Sequence, residues 1–559
     1  MSIQLKAAWH QANTAARALG RSLLISLIVG IPVSALAAAD STGLVEVADG
    51  QLQCTAGPAG RLQCLGVPYG AAPVGNMRLR PPADVKPWAG VRDATTFASA
   101  CLEAKTEYSK AQAGSEDCLY LNVYVPPHAD DEPLPVMVWL HGGGFINGSG
   151  NAFQGANLAE TANVIVVTVN YRLGALGWLA LPSLAKESAS GSAGNYGLQD
   201  SIQALKWVQQ NIQVLGGDNH RVTLFGQSAG GEQTLALVAS PYAAGLFQRA
   251  ISMSAPATLK LPTIEQAAAA RAGFLKEVGC SDEVGQAECL RELPAQKILD
   301  ASHTSWDLIQ QLGLQFTPVV DGVVLPKQWL EIFKDGTSNK VPTIIGHTRD
   351  ESNLFVAINE NNRNVVTDTQ QVDDRVAKFF KTLGPLVKWQ YPQADFANPG
   401  LRMAKMVDDA QFAAGLTQDR NALVKLAPVY AYQSCDPNAP DSHVHAQFIA
   451  QLGCGHDSDL AYLFQFDDFN GQVPQFTPEQ QALAQAMGRY WGNFAATGNP
   501  NGAGLPHWPP YNKKDGLVQL LEPASTGGIR ATAPKEYYQT HNLGFWNASL
   551  WLASVLGLR

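Results

Sequence analysis

The apolar residues of this chain fall into short unbroken runs rather than a regular alternation. Residues 119–125 (Leu-Tyr-Leu-Asn-Val-Tyr-Val), 136–140 (Val-Met-Val-Trp-Leu), 164–169 (Val-Ile-Val-Val-Thr-Val) and 222–225 (Val-Thr-Leu-Phe) are rich in β-branched and aromatic side chains. Runs of this length without polar alternation predict strands buried on both faces, as in a parallel sheet. Between the last two runs, Ile202, Leu205, Val208 and Ile212 recur at helical spacing and predict a helix over 200–212. Strand, helix, strand is the crossover unit of a parallel sheet. Earlier, two short runs between 51 and 69 flank the turn-rich Thr55-Ala-Gly-Pro-Ala-Gly60. They read as a hairpin with Cys54 and Cys64 on its arms, forming a small antiparallel N-terminal sheet at the periphery. Residues 255–420 are helix-rich and irregular, and read as an insertion lying over the main sheet. With no low-complexity linker and no repeat of 20–50 residues, the pattern predicts an α/β fold with a large, mostly parallel central sheet in one domain.

That domain is expected to start after residue 37. The first 37 residues hold Lys6, Arg17 and Arg21 but no acid, then the apolar run 22–31, then small residues ending Ala35-Leu-Ala37. This order reads as an export signal, 1–37, cleaved to leave 38–559. The apolar run is too short for a membrane span and is broken by Pro32. Loss of the three cations leaves 36 basic against 48 acidic side chains, where the whole chain carries −9. With its cations scattered, an acidic chain is a poor match for nucleic acid or for anionic lipid. An exported chain with eight cysteines predicts disulfides. Sequence distance favours local pairs, Cys54 with Cys64, Cys101 with Cys118, Cys280 with Cys289 and Cys435 with Cys454.

The chemistry concentrates at strand ends. Gly226-Gln-Ser228-Ala-Gly230 follows the run 222–225 and precedes the helix-compatible Gly231-Glu-Gln-Thr-Leu-Ala-Leu-Val238. A serine on such a tight strand-to-helix turn projects its hydroxyl above the sheet, and flanking glycines let neighbouring chain pass. His141-Gly-Gly-Gly144-Phe145 follows the run 136–140. Consecutive glycines there can turn N–H groups toward a substrate oxygen, so Gly143, Gly144 and Ala229 are the expected oxyanion donors. A serine nucleophile also needs a histidine base and an acid to orient it. In a serine, acid, histidine order the base could be His303, His347, His443, His445, His456, His507 or His541. The spacing does not choose among them.

The chain resembles the type-B carboxylesterase family, which also contains cholinesterases and several lipases. Ser115-Glu-Asp-Cys-Leu-Tyr-Leu-Asn-Val-Tyr124 and Val222-Thr-Leu-Phe-Gly-Gln-Ser-Ala-Gly-Gly231 carry the likeness. Val169-Asn-Tyr-Arg-Leu-Gly174, Gly194-Asn-Tyr-Gly-Leu-Gln-Asp200, Phe316-Thr-Pro-Val-Val-Asp-Gly322 and the stretch from Tyr490 to Asn501 support it. The resemblance implies an α/β-hydrolase fold. It selects Glu351 from Gly346-His-Thr-Arg-Asp-Glu351 as the acid and His456 from Gly453-Cys-Gly-His456 as the base. Asp350 is the neighbouring alternative acid, and His347 reads as a loop residue. The family further implies disulfides Cys101–Cys118 and Cys280–Cys289 and ion pairs Arg78–Glu116 and Arg172–Asp200. It also puts Ser254 where a serine often stands beside the histidine.

Two departures bear on substrate. The loop 102–117 has Tyr108 as its sole aromatic, and Gln227 stands where cholinesterases have glutamate. A cationic alcohol would lack both an aromatic face and a carboxylate. The expected protein is therefore a secreted or periplasmic serine hydrolase that cleaves small-molecule carboxylic esters through an acyl-enzyme on Ser228. Neither metal nor organic cofactor is called for, and His443 with His445 is a poor metal signal. A non-catalytic binding protein of the same fold is the competing reading, against which the intact Ser228, Glu351 and His456 speak. An enzyme acting on amides or lipid esters is the other.

Overall fold

A computed structural model describes residues 43–103, 114–128, 132–256, 260–302, 316–361, 368–440, 453–464 and 475–555. The export-signal segment 1–37, Tyr108, His303, His443 and His445 lie outside the described residues.

The strands, in chain order, are β1 (Leu44–Val47), β2 (Gly50–Gln53), β3 (Thr55–Ala56), β4 (Leu62–Pro68), β5 (Val91–Asp93), β6 (Tyr120–Val125) and β7 (Leu134–Leu140). They continue with β8 (Ile165–Val169), β9 (Gly217–Gln227), β10 (Arg249–Met253), β11 (Thr343–Thr348), β12 (Val429–Ser434), β13 (Gln519–Leu521) and β14 (Arg530–Ala531). Eleven of them form one sheet in the order β14-β13-β12-β11-β10-β9-β7-β8-β6-β4-β3. The block from β8 to β13 is parallel throughout, and antiparallel strands close both sides. The edge strands β3 and β14 are two residues long, which leaves little open ladder for another chain to pair with.

The unbroken apolar runs are explained by burial on both faces. Every residue of β7 and β8 is buried. Along β7, Val136, Val138 and Leu140 enter one hydrophobic cluster while Met137 and Trp139 enter the other. Trp139 anchors the second, its ring 4.8 Å from Phe225, 4.8 Å from Phe464 and 5.1 Å from Phe153. Each fully buried side chain of this size contributes about 1.5–3 kcal/mol relative to an exposed one.

The expected helix is present as Tyr196–Asn211 and starts four residues before the predicted 200. The reason lies in its entry. The Asn195 side chain donates to the Val319 carbonyl and accepts from the Val319 N–H, each at 2.9 Å, and Tyr196 and Leu198 are buried with the periodic positions.

Two expectations need correction. The hairpin β3–β4 joins the edge of the large sheet, because β4 pairs with β6. The separate small sheet is β1-β2-β5, with β1–β2 antiparallel and β2–β5 parallel. The middle of the chain is not wholly an insertion either, since β11 enters the sheet between β10 and β12.

All eight cysteines are bonded, in the four local pairs expected. Arg78 pairs with Glu116 and Arg172 with Asp200. The Arg172–Asp200 pair is fully buried and bidentate, at 2.8 and 2.7 Å, and the Arg172 N–H adds a third bond at 3.1 Å. Removing one partner of such a pair strands a charge in a low dielectric. Asp200→Asn is therefore expected to cost about 3–5 kcal/mol in urea unfolding, with Arg172→Met added to Asp200→Leu recovering most of the loss. A single variant within about 1 kcal/mol of wild type would contradict this. No helix among the described residues is long and apolar enough to cross a membrane.

Candidate active site

The C-terminal ends of β7, β9, β11 and β12 converge on one edge of the sheet. β9 ends at Gln227 and the helix Ala229–Ala239 begins two residues later, leaving Ser228 as the turn. Its backbone sits at φ 56°, ψ −124°, a region that costs a non-glycine residue about 1–3 kcal/mol. The Ser228 N–H donates to the Met253 carbonyl and its own carbonyl accepts from Glu232, both at 2.9 Å, so the strained turn is held on both sides. The flanking glycines are needed for close approach: a Cβ on Gly230 would lie 2.0 Å from the Leu140 carbonyl oxygen, and one on Gly226 2.4 Å from that of Gly230.

β7 leads into the glycine loop opposite this turn. His141 stacks on Tyr171 with centroids 4.2 Å apart, and the Tyr171 hydroxyl donates to the His141 carbonyl at 2.6 Å, fixing the base of the loop. Burial pushes the imidazole of His141 down to about 4, so it is neutral. The loop packs on the serine: a Cβ on Gly142 would be 3.2 Å from the Ser228 Cβ. Gly143 has φ +107°, open to glycine alone, and its carbonyl accepts from Ile146 and Asn147. Among the described residues, the N–H groups of Gly143, Gly144 and Ala229 find no acceptor. Main-chain donors left without an acceptor are a group type that can stabilise negative charge on a substrate oxygen.

β11 leads into the acid. Glu351 is fully buried, and its Oε1 accepts from the Thr348 N–H at 2.8 Å while Oε2 meets Nδ1 of His456. The neighbouring Asp350 is occupied differently. It pairs with Arg349 at 3.0 Å and accepts from the Cys454 N–H at 3.1 Å, while its own N–H donates to the Cys454 carbonyl. Glu351 thus reaches the histidine and Asp350 braces the loop that carries it. The Cys435–Cys454 bond ties that loop, two residues before His456, to the residue after β12.

The imidazole of His456 is buried between Phe355, 5.0 Å away, and Phe412, 5.9 Å away. Phe412 comes from a π-helical turn, Asp408–Ala413. That turn also sets Asp408 against the Ser352 N–H, at 2.6 Å, at the start of the helix after Glu351. Burial opposes a charged imidazole, but Glu351 outweighs it and holds His456 above its ordinary value. Nε2 faces the side chain of Gln227, whose amide nitrogen is 3.0 Å away. Among the described residues the Ser228 hydroxyl has no hydrogen-bond partner. A loose nucleophile–base contact is common before substrate binds.

The other candidates go elsewhere. His347 lies on β11 rather than in a loop, fully buried between the Thr348 carbonyl and the Tyr537 hydroxyl. His541 is buried against Asp409, and His507 is exposed. Ser254 is buried with its hydroxyl unpartnered among the described residues. Asp459, which sequence reasoning did not single out, is buried near the Glu351–His456 pair and accepts from the Tyr432 hydroxyl at 2.9 Å.

Known proteins match the chain over most of its length. The sequence model of the carboxylesterase family matches residues 42–546. Human cocaine esterase is 32% identical over 97% of this chain and 96% of its own length. Mouse pyrethroid hydrolase Ces2a is 33% identical over 87% of each chain, and fumonisin B1 esterase of Sphingopyxis macrogoltabida 31% identical over 85% of this chain and 86% of its own. Among solved structures, a PNB esterase superposes with a TM-score of 0.74 at 31% identity, covering 89% of this chain and 99% of that one.

Burial first, and the charge of Glu351 second, push the Asp459 carboxyl up to about 7. A raised acid contributes stability that is present below its unfolded pKa of about 4 and is lost as pH rises through the folded value near 7. Asp459→Asn keeps an acceptor for Tyr432 but cannot ionise. Its melting temperature is expected to gain on wild type between about pH 5 and 8. Parallel curves for the two proteins would show that Asp459 does not titrate there.

Proposed function

The chain belongs to the carboxylesterase family and is a carboxylic-ester hydrolase, and from that premise we propose that it works through an acyl-enzyme on Ser228, with His456 as base and Glu351 as its acid. The observation that carries the proposal is the buried contact of Glu351 with Nδ1 of His456, which turns Nε2 toward the strained Gln227–Ser228 turn. In the first step the Ser228 hydroxyl attacks the ester carbonyl, its proton passes to Nε2, and the carbonyl oxygen gathers charge against the N–H groups of Gly143, Gly144 and Ala229. Collapse returns the proton to the departing alcohol. Water then gives a proton to His456, adds to the acyl carbon and releases the acid as Ser228 recovers its hydrogen. Glu351 stays ionised, fixes the proton of the neutral ring on Nδ1 and stabilises the imidazolium between transfers.

Relatives named for cocaine, pyrethroids, acylcarnitine and fumonisin B1 have ester or acyl cleavage in common rather than one substrate. The proposal extends to small-molecule esters, with neutral ones favoured because the residue before the nucleophile is the uncharged Gln227. Residues 1–37 are proposed as the export signal and 38–559 as the mature hydrolase domain, secreted or periplasmic. Four disulfides support an oxidising destination.

A fluorophosphonate is expected to form an adduct on Ser228, located by peptide mass spectrometry. Ser228→Ala is expected to lower hydrolysis of p-nitrophenyl esters by about 10⁴-fold or more. No adduct, with equal turnover by both proteins, would defeat the acyl-enzyme reading.

The Cys435–Cys454 bond gives the second expectation. Mild reduction, or Cys435→Ser, should lower turnover several-fold at temperatures where circular dichroism shows the fold intact, because the His456 loop loses its tether. Unchanged turnover in Cys435→Ser would show that the Asp350–Cys454 hydrogen bonds suffice.

A further inference from the structure

Both nitrogens of His456 are occupied in the resting protein. Nδ1 lies against the Glu351 carboxylate, which can only accept, so the single proton of the neutral ring resides on Nδ1. Nε2 is then a bare lone pair. The group 3.0 Å from it is the side-chain amide of Gln227, not the Ser228 hydroxyl, and only the NH₂ end of an amide can pair with a lone pair. Gln227 therefore donates. Its side chain has little room to leave: it is 3% exposed, and Gln227 stands in register with Met253 of β10. A Cβ on Gly142 would come within 2.7 Å of its Oε1, so the amide spans the gap between the glycine loop and the imidazole.

We propose that Gln227 is a positioning residue whose amide N–H holds the Nε2 lone pair of His456 in the resting enzyme and yields it to Ser228 when an ester occupies the site. The inference rests on the roles proposed above for Ser228 and His456. It accounts for a serine that stands on its strained turn with its hydroxyl unengaged. It also has a consequence for proton affinity, since a neutral donor on the lone pair stabilises the neutral ring against imidazolium. The acids that bear on the ring act in the opposite sense: Glu351 across Nδ1, and from its own loop Asp457 and, once ionised, Asp459. The elements packed on its faces present Phe355 and Phe412. The acids of the π-helical turn are directed elsewhere, Asp408 to the Ser352 N–H and Asp409 to Lys405 and His541.

The test separates free enzyme from substrate complex, because the acid limb of kcat/KM reports the former and that of kcat the latter. Gln227→Met keeps the size and removes the donor. Its kcat/KM limb on p-nitrophenyl acetate is expected to rise by about half a unit while its kcat limb stays, since Nε2 has already passed to Ser228 in the complex. Gln227→Glu adds a charge that favours imidazolium in both states, and both limbs are expected to rise by about one unit. A purely structural role for Gln227 would lower rates without this split. NMR titration of His456 in Ser228→Ala supplies an arm that does not depend on either variant folding: the midpoint should match wild type if Gln227 holds the lone pair at rest. A shifted midpoint there, or unmoved kcat/KM limbs in both folded variants, overturns the inference. Fluorophosphonate labelling of wild type keeps the two readings apart. An unlabelled Ser228 sinks the catalytic roles themselves, whereas a labelled Ser228 with unmoved limbs sinks the role of Gln227 alone.

Discussion

The site depends on one close approach, that of the C-terminal end of β7 to the turn after β9. With the Leu140 carbonyl where a side chain on Gly230 would have to be, the glycine loop and the start of the Ala229–Ala239 helix lie closer than any residue with a Cβ would allow. That proximity sets the glycine loop beside the turn that carries Ser228 and Ala229, as the proposed donors Gly143, Gly144 and Ala229 require. In the proposed role the donors belong to main chain, so little reorganisation is needed as charge develops on a carbonyl oxygen. The strain at Ser228 is the local cost, and the bonds to Met253 and Glu232 together with the two buried cores offset it.

The second constraint is electrostatic. Glu351 is fully buried, and its two oxygens are taken by the Thr348 N–H and the His456 imidazole. Asp459, as deeply buried, accepts from the Tyr432 hydroxyl among the described residues, and burial first and the Glu351 charge second push it up to about 7. Two buried carboxyls in one pocket thus differ in the hydrogen bonds they accept. The one facing Nδ1 is the one proposed to orient the base.

What the sequence made legible follows from locality and burial. β7, β8 and the apolar half of β9 were readable because they are covered on both faces, and the Ser228 turn because its strand, glycines and helix are contiguous. β11 was not: its run is short, Ile344-Ile345, and is cut by Gly346 and His347. Gly346 is there because the Tyr432 ring of the neighbouring strand lies where its Cβ would project, a demand that no residue near it in sequence reveals. The place of the β3–β4 hairpin was missed for a similar reason, since nothing in a short edge strand specifies its partner. Glu351 and His456 were reached only through family resemblance. Their contact spans 105 residues, and among many histidines order alone left seven open. The approach of Gln227 to His456 had no local signal at all.

That long separation also explains how the histidine loop is built. A base brought to its acid across such a stretch gains from each constraint that narrows the loop before the contact forms. Three operate in succession here. The Cys435–Cys454 bond fixes the loop to the end of β12, Asp350 then takes both the N–H and the carbonyl of Cys454, and the His456 N–H donates to the Glu351 carbonyl at 3.3 Å. By the time the chain reaches the imidazole its path is set from two adjacent strands, β11 and β12, which are themselves in parallel register. The Glu351–His456 contact is therefore the last member of a tethered series rather than the interaction that closes the loop. Its short reach can serve orientation of the ring, while the covalent and backbone bonds upstream bear the cost of closure.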